Sequence, residues 1–570
     1  MNLNRRLFLL SVALLFLEAI PPSRVLAQPF PISPLILIVN STADEVDAAP
    51  GDGRCSTGSL ILLRASCTLR AAIMEANAYP GPDTIIFAVD GTFALTITGA
   101  DENNARSGDL DITDSLTIRG NGVQKTIIDG GGTTLNDRVF HIDPTGTGPT
   151  VSITFLTIQN GNAAPASEGG GVLNGICRAT GVPNCDANAR ESRLMMDHVV
   201  IRSNSVSGIA FAGGGGLANN GYLHLTNSMI DGNSATVSGG LDNRLGATAE
   251  LDQVVIISNT ASLDTQGAPY GAGGGLMNAH TAKMTLTNSR LTNNHAPVGS
   301  GGGLVNFGAL DLEKTEISSN ESGFQGGGIF SGGSIDASNV TINQNTALRG
   351  GGGIYNGVNG SLILNKATIN NNRAQLFIEG GGGIRNIGTM KLTNVTLSAN
   401  TAADGQGGGI YNGNLNTSNL IATLTNVTVN GNQSQNGGGI NNPGAAAAIT
   451  LSNTIVANSL TGSNCTGQLT SNGHNLDSDN SCGFTSVGDI VNRNPHLYPL
   501  EDNGGPTQTQ RLSAGFEVFF DPSGPFSLLW GVFVSAAVDA GDSASCPSTD
   551  QRGVIRPIGN GCDIGAYEFP

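Results

Sequence analysis

The chain repeats one short motif, a run of glycines followed by Leu, Ile or Val. Nine copies carry the full triplet Gly-Gly-Gly, and a degenerate copy with two glycines precedes Leu241. The apolar residues after the triplets are Val172, Leu217, Leu276, Leu304, Ile329, Ile354, Ile384, Ile410 and Ile440. From Leu276 onward the steps are 28, 25, 25, 30, 26 and 30 residues. Such a period predicts a solenoid, because one repeat cannot bury its apolar face alone.

Each repeat contains two short runs in which apolar and polar residues alternate. In one repeat Met390 and Leu392 form the first alternating pair, and Val395 and Leu397 form the second. Alternation with a period of two is typical of strands that bury one face. Helical periodicity is missing from the repeats, so the sequence predicts an all-β solenoid.

Asparagines and glycines mark the corners of the predicted coil. Asn288, Asn394 and Asn426 stand between the two runs, and their residue type tolerates the left-handed backbone of a tight corner. A second set closes the repeat, where its amides can bond to the copy above: Asn294, Asn320, Asn345, Asn372, Asn400, Asn432 and Asn458. The glycine triplet supplies a further corner or a close backbone approach. Three strands and three corners predict a three-faced, right-handed parallel β-helix. A leucine-rich repeat has a similar period, but half of it would be helical or 3₁₀.

The first residues have the pattern of an export signal. Arg5 and Arg6 precede an apolar run at residues 7–17, and small residues suitable for cleavage end at Ala27. We predict a signal peptide at residues 1–27, since a membrane anchor needs a longer apolar run. The mature protein is then expected to be secreted or held at the cell surface, with no transmembrane segment.

Cysteine spacing and net charge agree with export. The eight cysteines lie in four local pairs, which stacked coils would keep close in space: Cys55/Cys67, Cys177/Cys185, Cys465/Cys482 and Cys546/Cys562. We predict four disulfides, because the competing interpretation of a zinc site lacks a C-x-x-C pair and spaced histidines. A formal net charge of -17 argues against nucleic acid or an anionic membrane as a partner.

One segment, which begins at Thr68, has helical character. Leu69, Ile73 and Ala76 fall on one face, and Thr68 is a suitable N-cap. We predict that this helix covers the N-terminal end of the rod, whose strand edges need protection. The first strand is predicted at residues 84–89.

The start of this helix resembles the CSLREA motif of exported bacterial β-helix proteins with a pectin-lyase-like fold. The resemblance is carried by residues 67–73, Cys-Thr-Leu-Arg-Ala-Ala-Ile. Thr68 replaces the serine of the motif and keeps its capping hydroxyl. Ala71 replaces a glutamate, which should weaken the helix start by roughly 0.5–1 kcal/mol. Further matches are Gly-Asp-Leu-Asp-Ile at residues 108–112 and Thr-Ile-Ile-Asp-Gly at residues 126–130.

The C-terminal part resembles the choice-of-anchor Q domain of the same proteins. The matching pieces are residues 502–507, 538–542, 550–553 and 562–568. Residues 516–534, which include Trp530, are longer and more apolar than the usual linker of that family. They form either a hydrophobic plug on the last coil or an exposed contact patch. The chain stops at residue 570 without a sorting motif, so the resemblance implies release or non-covalent retention at the surface.

These features divide the chain into four parts. Residues 1–27 are the predicted signal peptide, and residues 28–83 are an N-terminal segment that contains the capping helix. Residues 84–491 are predicted to form the parallel β-helix. Residues 492–570 are predicted to form a C-terminal cap.

Carboxylates, which the cleavage of a polysaccharide requires, are sparse in the C-terminal part of the rod. Residues 405–476 contain no Asp, Glu, Lys or Arg. From residue 321 to 404 the acids are Glu321, Asp336, Glu379 and Asp404. A lyase needs carboxylates that hold calcium and a nearby base, and a glycosidase needs a pair of carboxylates. We therefore predict no catalytic residue, no metal ligand and no cofactor. Any activity should depend on acids before Glu321, such as Asp231, Asp242, Glu250, Asp252, Asp311 and Glu313.

Two pairs of acids and one histidine could each have a functional role or a purely structural one. Asp311 and Glu313 alternate on one strand and should face solvent. Asp477 and Asp479 offer calcium ligands, but an Asx-rich turn is favoured. His474 follows a glycine, as in the Gly-His-Gly of polygalacturonases, yet the partner aspartates are missing. The other histidines show no ligand spacing: His141, His198, His224, His280, His295 and His496.

The sequence thus favours a secreted or cell-surface rod without evident catalysis, which acts as a spacer, an adhesin or a glycan-contacting surface. Its expected partners are polysaccharides or other cell-surface components, because rows of Asn, Ser and Thr suit repetitive hydrogen bonding to glycans. The alternative is a polysaccharide lyase or glycoside hydrolase, since enzymes of both kinds use this fold, although fold alone does not transfer function. A concave groove with several carboxylates on adjacent coils would favour the enzyme.

Overall fold

The described part of the chain winds into a right-handed parallel β-helix, as predicted. The computed structural model describes residues 33–61, 64–99, 102–163, 168–178, 185–206, 213–262, 273–376, 379–403, 405–413, 420–444, 447–520 and 528–570. The predicted signal peptide at residues 1–27 lies outside these residues. Within them, no helix has the length and apolar character needed to cross a membrane.

Each coil passes through up to four strand ladders, numbered here in the order in which the chain meets them. Ladders 1 and 2 belong to one 26-stranded sheet, because four long strands run through both: Thr150–Gln159, Arg193–Arg202, Ser361–Asn370 and Thr389–Ser398. The other strands of ladder 1 are Ile36–Val39, Asp83–Phe87, Leu116–Arg119, Tyr222–Thr226, Thr248–Asp252, Lys283–Thr287, Ala309–Glu313, Ser334–Ser338, Leu420–Thr425, Ala447–Ser452 and Thr470–Ser471. The other strands of ladder 2 are Gly91–Ala94, Thr126–Asp129, Met229–Asp231, Val255–Ile257, Arg290–Thr292, Glu316–Ser318, Thr341–Asn343, Thr428–Asn430, Ile455–Ala457, Leu476–Asp477 and Ile490–Val491.

Ladder 3 is a stack of two-residue strands that follows ladder 2. Its strands are Asn162–Ala163, Ser205–Val206, Ser234–Ala235, Thr260–Ala261, His295–Ala296, Glu321–Ser322, Thr346–Ala347, Arg373–Ala374 and Thr401–Ala402. This short segment is an addition to the three strands that the repeat predicts.

Ladder 4 follows the glycine triplets and closes the coil. Its strands are Leu110–Ile112, Phe140–Ile142, Val172–Asn174, Leu217–Asn219, Leu241–Asn243, Leu276–Asn278, Leu304–Asn306, Ile329–Ser331, Ile354–Asn356, Ile384–Asn386, Ile410–Asn412, Ile440–Asn442 and Cys465–Gly467. The apolar residue after each triplet enters one continuous core that extends along the rod.

Left-handed residues bend the chain between ladders 1 and 2. Asn288, Asn394 and Asn426 have φ values of 49°, 53° and 50°, which confirms the predicted corner. The amide of Asn288 also donates to Oδ1 of Asp252 on the preceding coil at 2.8 Å. These asparagines therefore set the backbone direction, and Asn288 also ties two neighbouring coils together.

The second set of asparagines forms a buried stack. Asn345 Nδ2 donates to Oδ1 of Asn372 at 3.0 Å and to the carbonyl of Ile317 at 2.8 Å. Equivalent bonds continue from Asn294 to Asn432. The placement of Asn458 in this set is wrong, because Asn458 occupies the left-handed position that precedes the stack, with φ of 50°.

The glycine triplets provide both a corner and a close contact between coils. Gly351 has φ of 68°, a left-handed conformation that favours glycine. A Cβ atom on Gly353 would lie 2.7 Å from the carbonyl oxygen of Gly383 on the next coil. Larger residues would therefore push the stacked coils apart.

The predicted helix covers the N-terminal end of the core. It spans Leu69–Ala78, and the hydroxyl of its N-cap Thr68 accepts a hydrogen bond from Ala71 N at 3.1 Å. The helix packs against the strands Ile36–Val39, Asp83–Phe87 and Leu110–Ile112. The prediction of the first strand at residues 84–89 is wrong in one respect, because Ile36–Val39 precedes the helix and pairs in parallel with Asp83–Phe87. A 3₁₀ turn follows at Gly132–Thr134, and an antiparallel pair is formed by Leu60–Ile61 and Arg64–Ala65.

The four predicted disulfides are confirmed. They join Cys55 to Cys67, Cys177 to Cys185, Cys465 to Cys482 and Cys546 to Cys562. All of them close local loops. Four structural disulfides indicate an oxidising compartment.

The C-terminal part of the chain lies along the side of the rod and covers the outer face of ladder 2. Ile455 and Leu476 pack there against Leu512, Ile564 and Tyr567. The domain boundary at residue 492 stays a prediction.

The apolar segment near Trp530 forms an antiparallel hairpin of Ala514–Phe520 and Leu528–Val534. Whether its side chains form a plug or a contact patch lies outside the described residues.

Candidate functional site

The middle residue of each ladder 4 strand points away from the core. In the strand Ile354–Asn356, Ile354 enters the core and Asn356 joins a buried amide stack, so Tyr355 faces outward. The strand register places these middle residues above one another on successive coils. We call them the outer row: Asp111, His141, Leu173, Ala218, Asp242, Met277, Val305, Phe330, Tyr355, Arg385, Tyr411, Asn441 and Thr466.

Aromatic rings and one guanidinium group stack in the C-terminal half of the outer row. The rings of Phe330 and Tyr355 are stacked with centroids 5.2 Å apart. The guanidinium carbon of Arg385 lies 5.7 Å from the centroid of Tyr355 and 4.7 Å from that of Tyr411. Nε and Nη1 of Arg385 are buried and form no hydrogen bond within the described structure. This stack combines flat aromatic rings with a guanidinium group, and all four side chains are buried.

Glu379 adds a carboxylate beside this stack. Its Oε2 accepts a hydrogen bond from Gln325 Nε2 at 2.5 Å, and its Oε1 lies 3.8 Å from Arg349 Nη1. Burial raises the pKa of Tyr355, and the charge of Glu379 raises it further, whereas Arg385 lowers it. Tyr355 therefore keeps its hydroxyl proton at neutral pH and can donate a hydrogen bond.

Asp242 is the centre of a cavity in the middle of the outer row. The cavity has a volume of about 480 Å³ and is lined by Val237, Asp242, Arg244, Leu245, Met277, Ala279, His280 and Phe307. The rings of His280 and Phe307 stack there with centroids 5.0 Å apart. The lining thus combines stacked aromatic rings with charged groups.

The charges around this cavity are coupled. Burial raises the pKa of Asp242 to about 6, the positive charge of Arg244 lowers it and the carboxylate of Glu168 raises it. Arg244 also forms an ion pair with Glu168. Burial alone would lower the pKa of Arg244, but the two carboxylates outweigh it and raise that pKa. Arg244 therefore stays a cation between two acids.

The N-terminal end of the outer row contains a cluster of two carboxylates and an imidazole. Ligand atoms of Asp109, Asp111 and His141 all lie within 4.8 Å of one another. Burial raises the pKa of Asp111 to about 8, and the charge of Asp109 adds to that rise. Burial raises the pKa of Asp109 to about 7 despite the nearby Arg138, and burial with Arg138 lowers the pKa of His141 to about 3.

The structure does not gather the acids that the sequence names as candidates before Glu321. Only Asp242 belongs to the outer row, whereas the others lie on ladder 1 or ladder 2: Asp231, Glu250, Asp252, Asp311 and Glu313. Asp311 and Glu313 face outward on one strand, as predicted. Glu313 accepts a hydrogen bond from Asn339 Nδ2 at 2.8 Å, which repeats the contact between Asp252 and Asn288. These carboxylates help to hold the corners.

Asp477 and Asp479 form a hydrogen-bonded turn. Asp477 accepts from Asn464 Nδ2 at 2.9 Å and from Cys482 N at 2.7 Å. Asp479 accepts from Ser481 N at 3.0 Å and from Asn464 N at 2.9 Å. All four carboxylate oxygens are therefore used within the turn, in agreement with the structural interpretation.

His474 lies at the contact with the C-terminal part of the chain. Its Nδ1 is 2.8 Å from the carbonyl oxygen of Ala540. This contact gives His474 a structural role.

The cluster of Asp109, Asp111 and His141 was not predicted from the sequence, because His141 lies about one coil away from the two aspartates along the chain. His141 shows no ligand spacing along the chain, yet it is the register partner of Asp111. The available signal is the shared pattern of apolar, polar and apolar residues at 110–112 and 140–142, which marks two copies of the same strand. Residues in the middle of such copies become neighbours once the coil period is known.

Comparison with known proteins gives a structural likeness but no sequence match. No protein-family model matches the sequence, and no curated protein matches it. Among solved structures, the chain is similar to the crystal structure of pectate lyase Pel9A, with 12% identity and a TM-score of 0.29. That match covers 94% of this chain and 97% of the other. At this identity and score the likeness says nothing about activity.

Proposed function

We propose that this protein is an exported rod that binds a polysaccharide along the outer row of ladder 4 without cleaving it. The observation that carries the proposal is the Asp242 cavity, which is lined by the stacked rings of Phe307 and His280 together with the charged groups of Asp242 and Arg244. Sugar rings have apolar C–H faces that pack on aromatic rings and hydroxyl groups that bind carboxylates and guanidinium groups. The cavity supplies both kinds of partner.

The size and setting of the cavity suit one or two sugar units of a longer chain. Its volume of about 480 Å³ lies within the range of about 300–1,000 Å³ that small-molecule sites have. The stack of Phe330, Tyr355, Arg385 and Tyr411 extends the same row over further coils. These side chains are at most 8% exposed, so we assign the sugar contact to the cavity rather than to the stack.

Export is the second part of the proposal. Four disulfides fit an oxidising compartment, and the motif resemblance at residues 67–73 fits an exported bacterial protein. Polysaccharides are abundant ligands outside the cell. Compartment and site chemistry therefore favour the same class of partner.

The spacing of acids along the outer row favours binding over cleavage. Asp111 and Asp242 are four coil steps apart in the strand register. At ~4.8 Å a step this amounts to roughly 19 Å, beyond the about 5–10 Å between the carboxyl groups of glycosidases. Asp111 and Asp242, the two acids of the row itself, are therefore too far apart to act as a catalytic pair.

Hydrolysis by Asp242 and Glu168 is the second candidate function. Both carboxylates lie beside Arg244, and the pKa of Asp242 is raised to about 6 by burial. A carboxyl group that keeps its proton near neutral pH can act as a general acid, while an ionised partner acts as base or nucleophile. This arrangement is the specific observation that favours an enzyme.

One set of binding and cleavage assays separates the two functions. We expect the purified protein to bind at least one polysaccharide of a broad panel and to release no reducing or unsaturated ends. Phe307→Ala should weaken that binding at least tenfold, because it removes the aromatic wall. Tyr222→Ala is the matched control, since Tyr222 packs against Arg193 on ladder 1, away from the row.

Two results would contradict the proposal. Equal losses in Phe307→Ala and Tyr222→Ala would show that binding does not use the cavity. Release of sugar ends that Asp242→Asn abolishes would establish the hydrolase instead.

A further inference from the structure

The three residues at the start of the outer row are brought together by the coil geometry. Asp111 and His141 are register partners on adjacent strands of ladder 4, and Asp109 directly precedes the first of these strands. His141 Nδ1 lies 3.6 Å from Asp111 Oδ1. Two carboxylates and one imidazole thus converge from two neighbouring coils.

The cluster contains a buried oxygen that the protein leaves without a donor. Asp111 is 0% exposed. Its Oδ2 accepts a hydrogen bond from Ala105 N at 3.0 Å, whereas its Oδ1 has no partner among the described residues. His141 Nε2 is also buried and has no hydrogen bond there. Buried carboxylate oxygens are normally satisfied, so these atoms indicate a missing ligand.

The cationic residues nearby are already engaged with other carboxylates. Arg70 Nε lies 2.6 Å from Asp44 Oδ1, and Arg138 Nη1 lies 2.9 Å from Asp109 Oδ2. In the described part of the chain, Asp111 makes no ion pair with an arginine or a lysine. A buried carboxylate without a compensating charge is costly, and a bound cation would supply that charge.

A second layer of contacts fixes the ligand groups in place. Arg70 donates to the carbonyl oxygens of Gly108 at 2.8 Å and of Asp109 at 3.1 Å, which anchors the segment that carries Asp109. Arg138 holds one oxygen of Asp109, and Ala105 N holds one oxygen of Asp111. Metal sites depend on such outer contacts, because they orient the ligands before the ion binds.

We propose that Asp109, Asp111 and His141 bind a divalent transition-metal cation such as Zn²⁺ or Mn²⁺. The imidazole nitrogen selects these ions over Ca²⁺ and Mg²⁺, which prefer sites made of oxygen ligands alone. The ion would join the first two coils of ladder 4 beneath the N-terminal helix. This site lies apart from the Asp242 cavity and does not depend on the proposed glycan binding.

Metal content and thermal unfolding of the full chain test the site. The purified protein is treated with a chelator and dialysed, and portions are then incubated with Zn²⁺, Mn²⁺ or Ca²⁺. We expect about one equivalent of Zn²⁺ or Mn²⁺ to be retained per chain and to raise the Tm of the wild type. Asp111→Asn and His141→Gln should each weaken binding of that ion at least tenfold, since each removes a ligand.

Asp242→Asn is the matched control because Asp242 is another buried carboxylate of the outer row. It should retain the metal and the rise in Tm. Circular dichroism verifies that each variant keeps its β-structure. If Asp111→Asn does not fold, the His141→Gln variant and the titration of the chelator-treated wild type still decide the question.

Three outcomes would overturn the proposal. The first is a wild type that retains no stoichiometric Zn²⁺ or Mn²⁺ and shows no change in Tm with either ion. The second is unchanged retention in a folded Asp111→Asn or His141→Gln variant. The third is a wild type whose Tm does not change with metal and is lower than that of Asp111→Asn. This result would show that Asp111 is protonated rather than bound to a cation.

Discussion

At the scale of single residues, asparagine performs two different tasks in this coil. The asparagines between ladders 1 and 2 provide a left-handed corner, and at Asn288 the amide also reaches a carboxylate of the preceding coil. The asparagines after ladder 2 are fully buried and bond to one another. Substitutions of the same residue type should therefore have very different costs at the two places.

Asn345→Ala should destabilise the rod strongly. Asn345 donates to Asn372 and Ile317, and its Oδ1 accepts from both nitrogens of Asn320. Its removal leaves buried groups without partners, at a cost of roughly 2–4 kcal/mol. Asn288→Gly, at a left-handed corner, should cost less than about 1 kcal/mol because glycine adopts that backbone readily. Denaturant unfolding of both variants checks the difference, and similar midpoints would contradict it.

Asp242 should make stability depend on pH. Its pKa is raised to about 6 in the folded protein by burial and Glu168, against Arg244, from an ordinary value of 3.8. The folded state therefore holds the proton more tightly, so stability falls as pH rises from about 4 to about 6 and is level above that. The effect is at most about 3 kcal/mol. Asp242→Asn should reduce this fall in Tm between about pH 4 and pH 7. Identical profiles of wild type and variant would refute the raised pKa.

At the scale of elements, a helix or strand can be predicted from the sequence when the residues that determine it lie close together along the chain. The capping helix was predictable because Thr68 and the apolar spacing after it lie within a few residues. The strands of ladders 1, 2 and 4 were predictable because each repeats an alternating or post-glycine pattern. Ladder 3 was not, since a strand of two residues is too short to show a period. The prediction for Asn458 was wrong by one position. The left-handed corner residue and the residue of the asparagine stack are neighbours in sequence, and an asparagine can occupy either.

Arg70 connects the helix to residues 105–109, the segment that leads into the first strand of ladder 4. It is buried, pairs with Asp44, and donates to the carbonyl oxygens of Ala105, Gly108 and Asp109. Arg70→Leu removes the ion-pair partner of Asp44 and a donor from each of these carbonyls, so we expect a loss of about 3–5 kcal/mol in stability. The exposed Arg64 gives the control variant Arg64→Leu, which should leave the Tm nearly unchanged. Thermal unfolding measures both, and a small effect at Arg70 would show that the helix is held by apolar packing alone.

At the scale of the whole molecule, the C-terminal part of the chain changes what the rod exposes. The outward threonines of ladder 2 on later coils bond to this part, as Thr428 Oγ1 does to Ala566 N at 3.0 Å. Ile455 on the same face packs against Ile564 and Tyr567. The lack of charge in residues 405–476 therefore partly reflects a covered face. The sequence could not show this, because the contacts join residues more than 100 positions apart.

The candidate site could not be predicted from the sequence either, because its residues are far apart along the chain. The outer row takes one residue from each coil, and its members are separated by a variable period of 25 to 30 residues in the regular part. Asp242 was named as a candidate acid, but its placement beside Arg244 and Phe307 depends on how the coils stack. Composition indicated a rod poor in acids, whereas the structure places two buried ones, Asp111 and Asp242, in the same row.

Gln551 should couple the C-terminal part to several coils at once. Its Nε2 donates to Thr368 Oγ1 at 2.9 Å, and its Oε1 accepts from Thr396 Oγ1 at 2.7 Å on the next coil. Gln551→Ala should speed hydrogen exchange in the C-terminal part and in the ladder 2 strands that it covers. The ladder 4 strands of the same coils should keep their protection, because coils of a solenoid depend mainly on their neighbours.

The exposed Gln344 gives the control variant, because it stands at a ladder 2 corner that the C-terminal part leaves open. Gln344→Ala should leave exchange unchanged on both ladders. If the C-terminal part served only to cover the last coil, Gln551→Ala would affect strands near residue 490 and spare those at Thr368 and Thr396. A loss of protection centred on these two threonines would instead show that the segment acts as a brace along the side of the rod.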